Sequence, residues 1–207
     1  MAAVPRNRIC LYVALTVGLL VLDLWSKDVA FGTFGVRNGG PWLADNSVFR
    51  FRFFTSLNEG ALWGMGQGFA WLFAALSIGA FGAILWFLFV KKYADSLWLT
   101  TALGFVSGGT LGNLYDRLGM HGIILPGSDT PVSAVRDFFH FQFGGTPDAP
   151  AFDWAIFNVA DICLVTGAIM LMLHSFQQPA GAEAAADAPA EKSVPAVTRS
   201  AEATAGR

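Results

Sequence analysis

Four long apolar stretches divide the chain, each bounded by glycine, polar or charged residues. They run from about 9 to 31, 69 to 90, 97 to 118 and 154 to 176. A hydrocarbon core of about 30 Å requires roughly 20 apolar residues in a helix. Each stretch meets this length, so the pattern predicts an all-α membrane protein with four transmembrane helices.

Between the first two stretches the pattern changes to strict alternation. Residues 48–54 read Val-Phe-Arg-Phe-Arg-Phe-Phe, and turn-forming segments at 39–41 and 58–60 lie on either side. A period of two between turn signals predicts β-strands. We therefore expect a small extracytoplasmic β-strand region between helices 1 and 2.

Charged residues in the short connections predict the orientation. The connection at 91–95 contains two lysines, and two arginines precede the first stretch. Short loops rich in Lys and Arg stay in the cytoplasm. We expect a multi-pass protein with both termini cytoplasmic, and with segments 32–68 and 119–153 on the outer side.

Composition supports a membrane protein. Hydrophobic residues make up 54% of the chain and charged residues 14%. The net charge is -2, and the sequence contains no basic patch that would indicate binding to nucleic acid. After residue 176 the chain becomes rich in Ala, Glu, Pro, Ser and Thr, which cannot bury enough apolar surface to fold. We predict a transmembrane domain over 1–176 and a disordered cytoplasmic tail over 177–207.

Ionisable and amide residues inside the stretches are the first candidates for function, because a charge at the centre of a bilayer costs at least about 2.5 kcal/mol. Asp23 and Lys27 are four residues apart and share a helix face, which a structural ion pair would also explain. The other such residues are Asn113, Asp116, Arg117, Asn158 and Asp161. Asp161 is expected roughly 10 Å below the outer side of the fourth helix. These polar faces should therefore meet in the outer half of the membrane.

Glycines recur every four residues on the third stretch, at Gly104, Gly108 and Gly112. Small residues at this spacing allow helices to approach closely in membranes. Helix packing alone accounts for the glycines.

Five blocks, in order along about residues 8–176, resemble the lipoprotein signal peptidases (signal peptidase II). They are L-D-L-W-S-K from Leu22, N-E-G-A-L-W-G from Asn58, G-G-x-x-G-N-x-x-D-R from Gly108, V-R-D-F from Val135 and F-N-x-A-D from Phe157. The third and fifth blocks are specific, and the others gain weight from their order.

The resemblance implies the residues of a site. It makes Asp137 and Asp161 the catalytic aspartates. It implies substrate-binding or site-ordering roles for Asn58, Gly60, Asn113, Arg117 and Asn158, and supporting roles for Asp23, Lys27, Gly108, Gly109 and Asp116. It implies no cofactor and no metal.

Two features depart from the family pattern. Arg136 precedes the first catalytic position, where the family usually has an aliphatic residue, and the segment 119–134 is longer than expected. Other carboxylates near this position are Asp129, Asp148 and Asp153. Phe138, which completes the V-x-D-F block, favours Asp137.

Two neighbouring carboxylates share a proton and can activate a water molecule, as in aspartic proteases. The resemblance implies an intramembrane aspartic endopeptidase of the bacterial inner membrane, with its active site near the extracytoplasmic face. Its substrate would be a diacylglyceryl-modified prolipoprotein, cleaved just before the lipidated cysteine. Its partners would be this precursor and membrane lipids, and we take the chain to act as a monomer.

Two other classes remain open on the residues alone. A small proton-coupled transporter or channel would also place carboxylates inside the membrane, although it would ordinarily show inverted repeats, which the sequence lacks. A noncatalytic helical scaffold would explain the glycines, but it would not explain why Asp137 and Asp161 are present.

Overall fold

The structure is a computed structural model that describes residues 4–60 and 65–177. The predicted tail from 178 onward and residues 61–64 of the N-E-G-A-L-W-G block lie outside these ranges. The chain divides into two units, Met1–Ser175 and Phe176–Arg207. Every described helix and strand lies in the first unit, apart from the end of the last helix.

Long helices account for the apolar stretches. Those in the described residues are α1 (Arg6–Phe34), α2 (Ala70–Leu85, continued by a π-helical turn at Trp86–Val90), α3 (Leu97–Arg117) and α4 (Val159–Gln177), with a short 3-10 turn at Tyr93–Asp95. Among the described residues, three helical segments are long and apolar enough to cross a membrane: Arg6–Phe34, Ala70–Val90 and Val159–Phe176. Helix α3 is less apolar because it carries the glycines and many of the polar residues.

The glycines of α3 allow close contact with two neighbouring helices. A Cβ atom at Gly108 would lie 2.8 Å from a side-chain atom of α1, and one at Gly109 would overlap the carbonyl oxygen of Ala160 in α4. A Cβ at Gly112 would overlap the carboxylate of Asp23. Interiors are packed too closely to absorb such overlaps without movement. The helix-packing role predicted for this stripe is confirmed.

An antiparallel sheet of four strands is formed by the segments between α1 and α2 and between α3 and α4. Its strands, in spatial order, are β1 (Ala44–Asp45), β2 (Phe49–Asn58), β3 (Val135–Phe143) and β4 (Phe152–Asp153). The strands predicted between the first two helices are confirmed. The sequence left the conformation of the segment carrying Asp137 open. In the structure β3 and β4 come from this segment, and β3 pairs along most of β2.

Alternation gives β2 and β3 one aromatic face and one polar face. Phe51 lies opposite Phe141 with its ring centroid 4.6 Å away. On the other face Arg52 lies opposite His140 and donates a hydrogen bond from Nε to its Nδ1 at 3.0 Å. Pairing the two alternating strands therefore groups like side chains together.

A β-bulge in β2 reverses these faces near the end of the strand. The register shifts between Phe53 and Ser56, and Ser56 then lies opposite Asp137. Thr55 stabilises this bend, because its Oγ1 donates to the carbonyl oxygen of Asn38 at 2.8 Å and accepts from the Asn38 amide at 3.1 Å. The extra residue brings Asn58 onto the face of Asp137, where strict alternation would have pointed it away.

Helix α4 begins at Val159, and the prediction that it begins near Trp154 was wrong. The backbone N–H of Trp154 donates to the carbonyl oxygen of Phe141 at 3.0 Å, and Phe157 exchanges backbone hydrogen bonds of 3.2 and 2.8 Å with Phe139. The residues before the helix therefore extend the sheet. Asp161 consequently lies in the first turn of α4, and not about 10 Å along the helix.

Candidate active site

The F-N-x-A-D block builds the N-terminus of α4. Asn158 precedes the helix, and its Oδ1 accepts a hydrogen bond from the backbone N–H of Asp161 at 3.1 Å. In return, Oδ2 of Asp161 accepts from the backbone N–H of Asn158 at 3.1 Å. This reciprocal pairing is a capping-box arrangement, which satisfies N–H groups that the first helical turn leaves without partners. It holds one oxygen of Asp161 and leaves Oδ1 to face the neighbouring helix.

Asp23 connects α1 to the same helix end. Its Oδ1 accepts a hydrogen bond from the backbone N–H of Ala160 at 2.8 Å. A carboxylate in this position also interacts favourably with the positive end of the helix dipole. The first and fourth helices therefore meet at the level of Asp161, as the sequence predicts.

Asn113 on α3 lies between Lys27 and Asp161. Nζ of Lys27 donates to Oδ1 of Asn113 at 3.1 Å, and Nδ2 of Asn113 donates to Oδ1 of Asp161 at 2.9 Å. A lysine ammonium can only donate, so it fixes which end of the amide is the oxygen. Lys27 thereby makes Asn113 present its N–H group to the carboxylate of Asp161.

Asp137 lies on β3, and two amide groups hold its carboxyl. Nδ2 of Asn158 donates to Oδ1 at 2.6 Å, and Nδ2 of Asn58 donates to Oδ2 at 3.1 Å. The Asn158 amide also donates to Oδ1 of Asn113 at 3.1 Å. Asn113 and Asn158 therefore link Asp137 to Asp161 in one hydrogen-bonded chain.

The two carboxyl groups have different surroundings. Asp137 is only 2% exposed, whereas Asp161 is half-buried. Burial, together with the negative charge of Asp161, raises the pKa of Asp137 to about 8. At neutral pH Asp137 therefore retains a proton and can donate it. An acid whose pKa is displaced in this way is typical of a site that carries out proton transfer.

A cavity of about 830 Å³ opens beside both carboxyl groups. Its polar lining includes Asn58, Asn113, Arg117, Asp137 and Asp161. Its apolar lining includes Phe141, Phe143, Trp154, Ile162 and Val165, from the aromatic side of the sheet and from α4. A mainly apolar wall with a few converging polar groups is the usual form of a ligand site.

Arg117 contributes a hydrogen-bond donor to this cavity. Its Nη2 lies 3.5 Å from the carbonyl oxygen of Gly60, and its guanidinium lies 5.3 Å from the ring centroid of Phe73. Gly60 is itself held by its backbone N–H, which donates to Oδ1 of Asn58 at 3.0 Å. Nε of Arg117 is buried and has no hydrogen-bond partner among the described residues. A buried donor of this kind is costly unless a ligand supplies an acceptor.

Five charged side chains form a network behind the carboxyl pair. Nζ of Lys27 lies 2.7 Å from Oδ2 of Asp23 and 2.9 Å from Oδ2 of Asp116, and all three side chains are fully buried. Nε of Arg136 lies 2.9 Å from Oδ1 of Asp116, and its Nη1 lies 2.5 Å from Oδ1 of Asp28. The structure thus brings together three of the five predicted supporting residues, Asp23, Lys27 and Asp116.

Sequence reasoning did not identify Asp28 and recorded Arg136 only as a departure. A signal was present, since neighbouring residues of a strand point to opposite faces. Arg136 must therefore point away from Asp137 and toward the buried aspartates. Lys27 was the one basic residue that the sequence analysis had paired with them. Recognising β3 as a strand would have revealed the pairing.

The other carboxylates of the segment between α3 and α4 lie away from the cavity. Asp129 and Asp148 are exposed. Asp153 accepts a hydrogen bond from Nε2 of His140 at 2.7 Å, on the polar face of the sheet. Of these four aspartates, Asp137 is the one that lines the cavity.

Comparisons with known proteins agree with this architecture. The model of the signal peptidase (SPase) II family matches residues 15–177. The chain is 42% identical over 178 residues to the lipoprotein signal peptidase of Rhodopirellula baltica, covering 84% of the chain and 75% of that relative. It is 30% identical to the lipoprotein signal peptidase of Serratia proteamaculans, covering 82% of the chain and 89% of that relative.

Two solved structures share the fold. Both are bacterial membrane enzymes determined by the in meso method, at 2.3 and 1.9 Å resolution. The first has a TM-score of 0.63 and 21% identity over 83% of this chain and 90% of that chain. The second has a TM-score of 0.60 and 20% identity over 81% and 94%, respectively.

The apolar helices and the relatives together define a multi-pass membrane peptidase. More specifically, the chain belongs to the signal peptidase II family, a family of aspartic peptidases.

Proposed function

We propose that this chain cleaves the signal peptide from lipid-modified lipoprotein precursors just before the lipidated cysteine, and that Asp137 and Asp161 are its catalytic carboxylates. One observation carries the assignment of the pair. The Asn113 and Asn158 amides join the two carboxyl groups, and both groups line the same cavity. The family match favours this function over a transporter or channel.

The first chemical step follows from the protonation of the pair. Ionised Asp161 takes a proton from a water molecule as the water oxygen attacks the scissile carbonyl carbon. Asp137 gives its proton to the carbonyl oxygen, which has become negative. The product is a tetrahedral diol, with Asp161 protonated and Asp137 ionised.

The second step reverses both proton transfers. Asp161 donates its proton to the leaving nitrogen as the C–N bond breaks. Asp137 takes a proton from one hydroxyl of the diol. The diol carbon thereby becomes the carboxylic acid of the new C-terminus. The pair returns to its starting state, so no proton is gained or lost over the cycle.

The cavity lining suits a peptide that carries lipid. Arg117 lines the cavity, and its guanidinium offers donors for substrate carbonyl oxygens. Ile162 and Val165 are large exposed apolar residues on α4 that continue the cavity wall. A diacylglyceryl chain along this side of α4 would bury apolar surface on both partners.

We also propose that α3 crosses the membrane as the fourth span, with both termini cytoplasmic and the carboxylate pair near the outer face. Helix α3 has 21 residues, enough for a span, and its polar residues are buried against neighbouring helices. Lys91 and Lys92 connect α2 to α3, as expected of a cytoplasmic loop.

Single cysteines would test this topology. After replacement of Cys10 and Cys163 by Ala, Asp148→Cys should react with a membrane-impermeant maleimide in intact cells. Lys92→Cys should react only after the membrane is opened. Equal labelling of both in intact cells would contradict the orientation.

Replacement of each aspartate tests the catalytic pair. Asp137→Asn and Asp161→Asn keep the side-chain shape but remove the shared proton, so cleavage of a lipidated precursor in detergent micelles should fall to background in both. Asp148→Asn is the matched control, since Asp148 is an exposed carboxylate of the same outer segment. If either dyad variant cleaves within about two-fold of the unmodified protein, the assignment is wrong.

A further inference from the structure

Arg136 is a buried arginine that lies next to the proposed catalytic Asp137 in sequence but points the other way. It is 3% exposed. Its backbone N–H donates to Oδ2 of Asp116 at 3.0 Å, and its Nε donates to Oδ1 of the same carboxylate at 2.9 Å. Its Nη1 donates to Oδ1 of Asp28 at 2.5 Å. One residue therefore connects β3 to α3 through Asp116 and to α1 through Asp28.

The guanidinium also balances buried charge. Asp23 and Asp116 are fully buried carboxylates, and Lys27 contacts both. Lys27 alone would leave one negative charge without compensation, and removing one partner of a buried ion pair is strongly destabilising. With Arg136, the buried set of two acids and two bases is neutral. An aliphatic residue at this position would lack that compensation.

Asp116 is connected to each carboxylate of the pair through an intervening residue or chain of residues. On one side, Asp116 holds Arg136, whose backbone continues directly into Asp137. On the other side, Asp116 contacts Lys27, which orients the Asn113 amide that bonds to Asp161. A shift of Asp116 relative to β3 would therefore change the separation of the two carboxyl groups.

We propose that Arg136 is a positioning residue for the carboxylate pair, which clamps β3 to α1 and α3 and so fixes the Asp137 carboxyl relative to that of Asp161. Arg136 acts through these partners and does not touch the substrate. The inference rests on the proposed function of Asp137 and Asp161. An aliphatic side chain at this position could form neither guanidinium contact.

Steady-state kinetics on the purified full chain test the clamp. For Arg136→Leu we expect kcat to fall by about 10- to 100-fold, because misplacing a catalytic group by about 1 Å has an effect of this size. KM should stay within about two-fold, since the cavity lining is unchanged. Arg136→Lys keeps the charge but cannot make the same paired contacts, so its kcat should lie between those of Arg136→Leu and the unmodified protein.

Arg50→Leu is the matched control. Arg50 is also a buried arginine of the sheet, with Nε 2.8 Å from Asp45 and two further bonds to the carbonyl oxygens of Gly144 and Gly145. None of these contacts within the described residues involves the carboxylate pair. Loss of Arg50 should lower thermal stability while leaving kcat of the folded protein unchanged. Activities are compared per folded molecule, as measured by size-exclusion chromatography and tryptophan fluorescence.

The outcomes separate the clamp from the proposed function. If kcat of Arg136→Leu equals that of Arg50→Leu, the clamp is overturned, even when Asp161→Asn is inactive. If Asp161→Asn cleaves normally, the proposed function itself fails. Should Arg136→Leu not fold, Arg136→Lys decides the matter: a reduced kcat supports the clamp, and an unchanged kcat overturns it.

Discussion

Asn158 has two structural roles that substitutions can separate. Its Oδ1 caps α4 by accepting from the backbone N–H of Asp161. Its Nδ2 donates to Asp137 at 2.6 Å and to Asn113 at 3.1 Å. Serine is as good an N-cap as asparagine, whereas alanine is not. Asn158→Ser should therefore keep the cap and lose the amide donors, and Asn158→Ala should lose both.

The expected magnitudes differ for activity and stability. A hydrogen bond to a charged group contributes about 1.5–3 kcal/mol, and the carboxyl pair carries one shared negative charge. At about 1.4 kcal/mol for each factor of ten, loss of the Asn158 donor should lower kcat by about 10- to 100-fold in both variants. Loss of the cap costs about 1 kcal/mol more, so Asn158→Ala should have the lower free energy of unfolding.

The assay measures kcat with saturating lipidated precursor, and thermal unfolding by tryptophan fluorescence in the same detergent. If Asn158 has these two separate roles, the two variants match in kcat and differ in free energy of unfolding. A normal kcat in Asn158→Ser would refute these roles, because that result would mean that the amide does not act on Asp137. A kcat that is lower in Asn158→Ala than in Asn158→Ser, in proportion to the loss of stability, would also refute the two separate roles.

Further predictions concern pH and packing. Because the pKa of Asp137 is raised to about 8, cleavage should decline as pH rises through that value and Asp137 loses the proton that it donates; a pH–rate profile flat to about pH 9 would contradict this. The same carboxyl ionises near pH 4 when unfolded, so its contribution to the free energy of unfolding should diminish from about pH 4 up to about pH 8, as measured by thermal melts. Gly112→Ala should cost about 1–3 kcal/mol or more, because the new methyl overlaps the Asp23 carboxylate. Gly18→Ala is its control, since a Cβ there has no neighbour within 4 Å among the described residues, and equal melting temperatures for the two would show the contact to be unimportant.

The helical part of the site was predictable from local patterns. Asp23 and Lys27 share a face because they are four residues apart, and they do form an ion pair of 2.7 Å. Asn158 and Asp161 have the spacing of a capping box, which indicates the start of a helix. The predicted start at Trp154 was wrong because the residues before Asn158 are also apolar, and hydrophobicity alone does not distinguish a buried strand from a helix.

The sheet was harder to predict because its pairing is not local. Phe51 pairs with Phe141, and no pattern within either segment specifies so distant a partner. The bulge near Thr55 changes which face Asn58 occupies, and a simple alternation would have pointed Asn58 away from Asp137. Such register changes depend on the contacts of the folded sheet, here those of Thr55 with the backbone of Asn38.

The distribution of unsatisfied donors distinguishes the supporting part of the site from the binding part. Nζ of Lys27 donates to Asn113 at 3.1 Å and lies 2.7 and 2.9 Å from carboxylate oxygens of Asp23 and Asp116. Its side chain is fully buried among these partners, which hold the ammonium group in place. Arg117 differs, because its side chain lines the cavity and its buried Nε has no partner among the described residues. The folded protein bears the cost of that unpaired donor, and a substrate carbonyl that accepts from it would recover this free energy on binding.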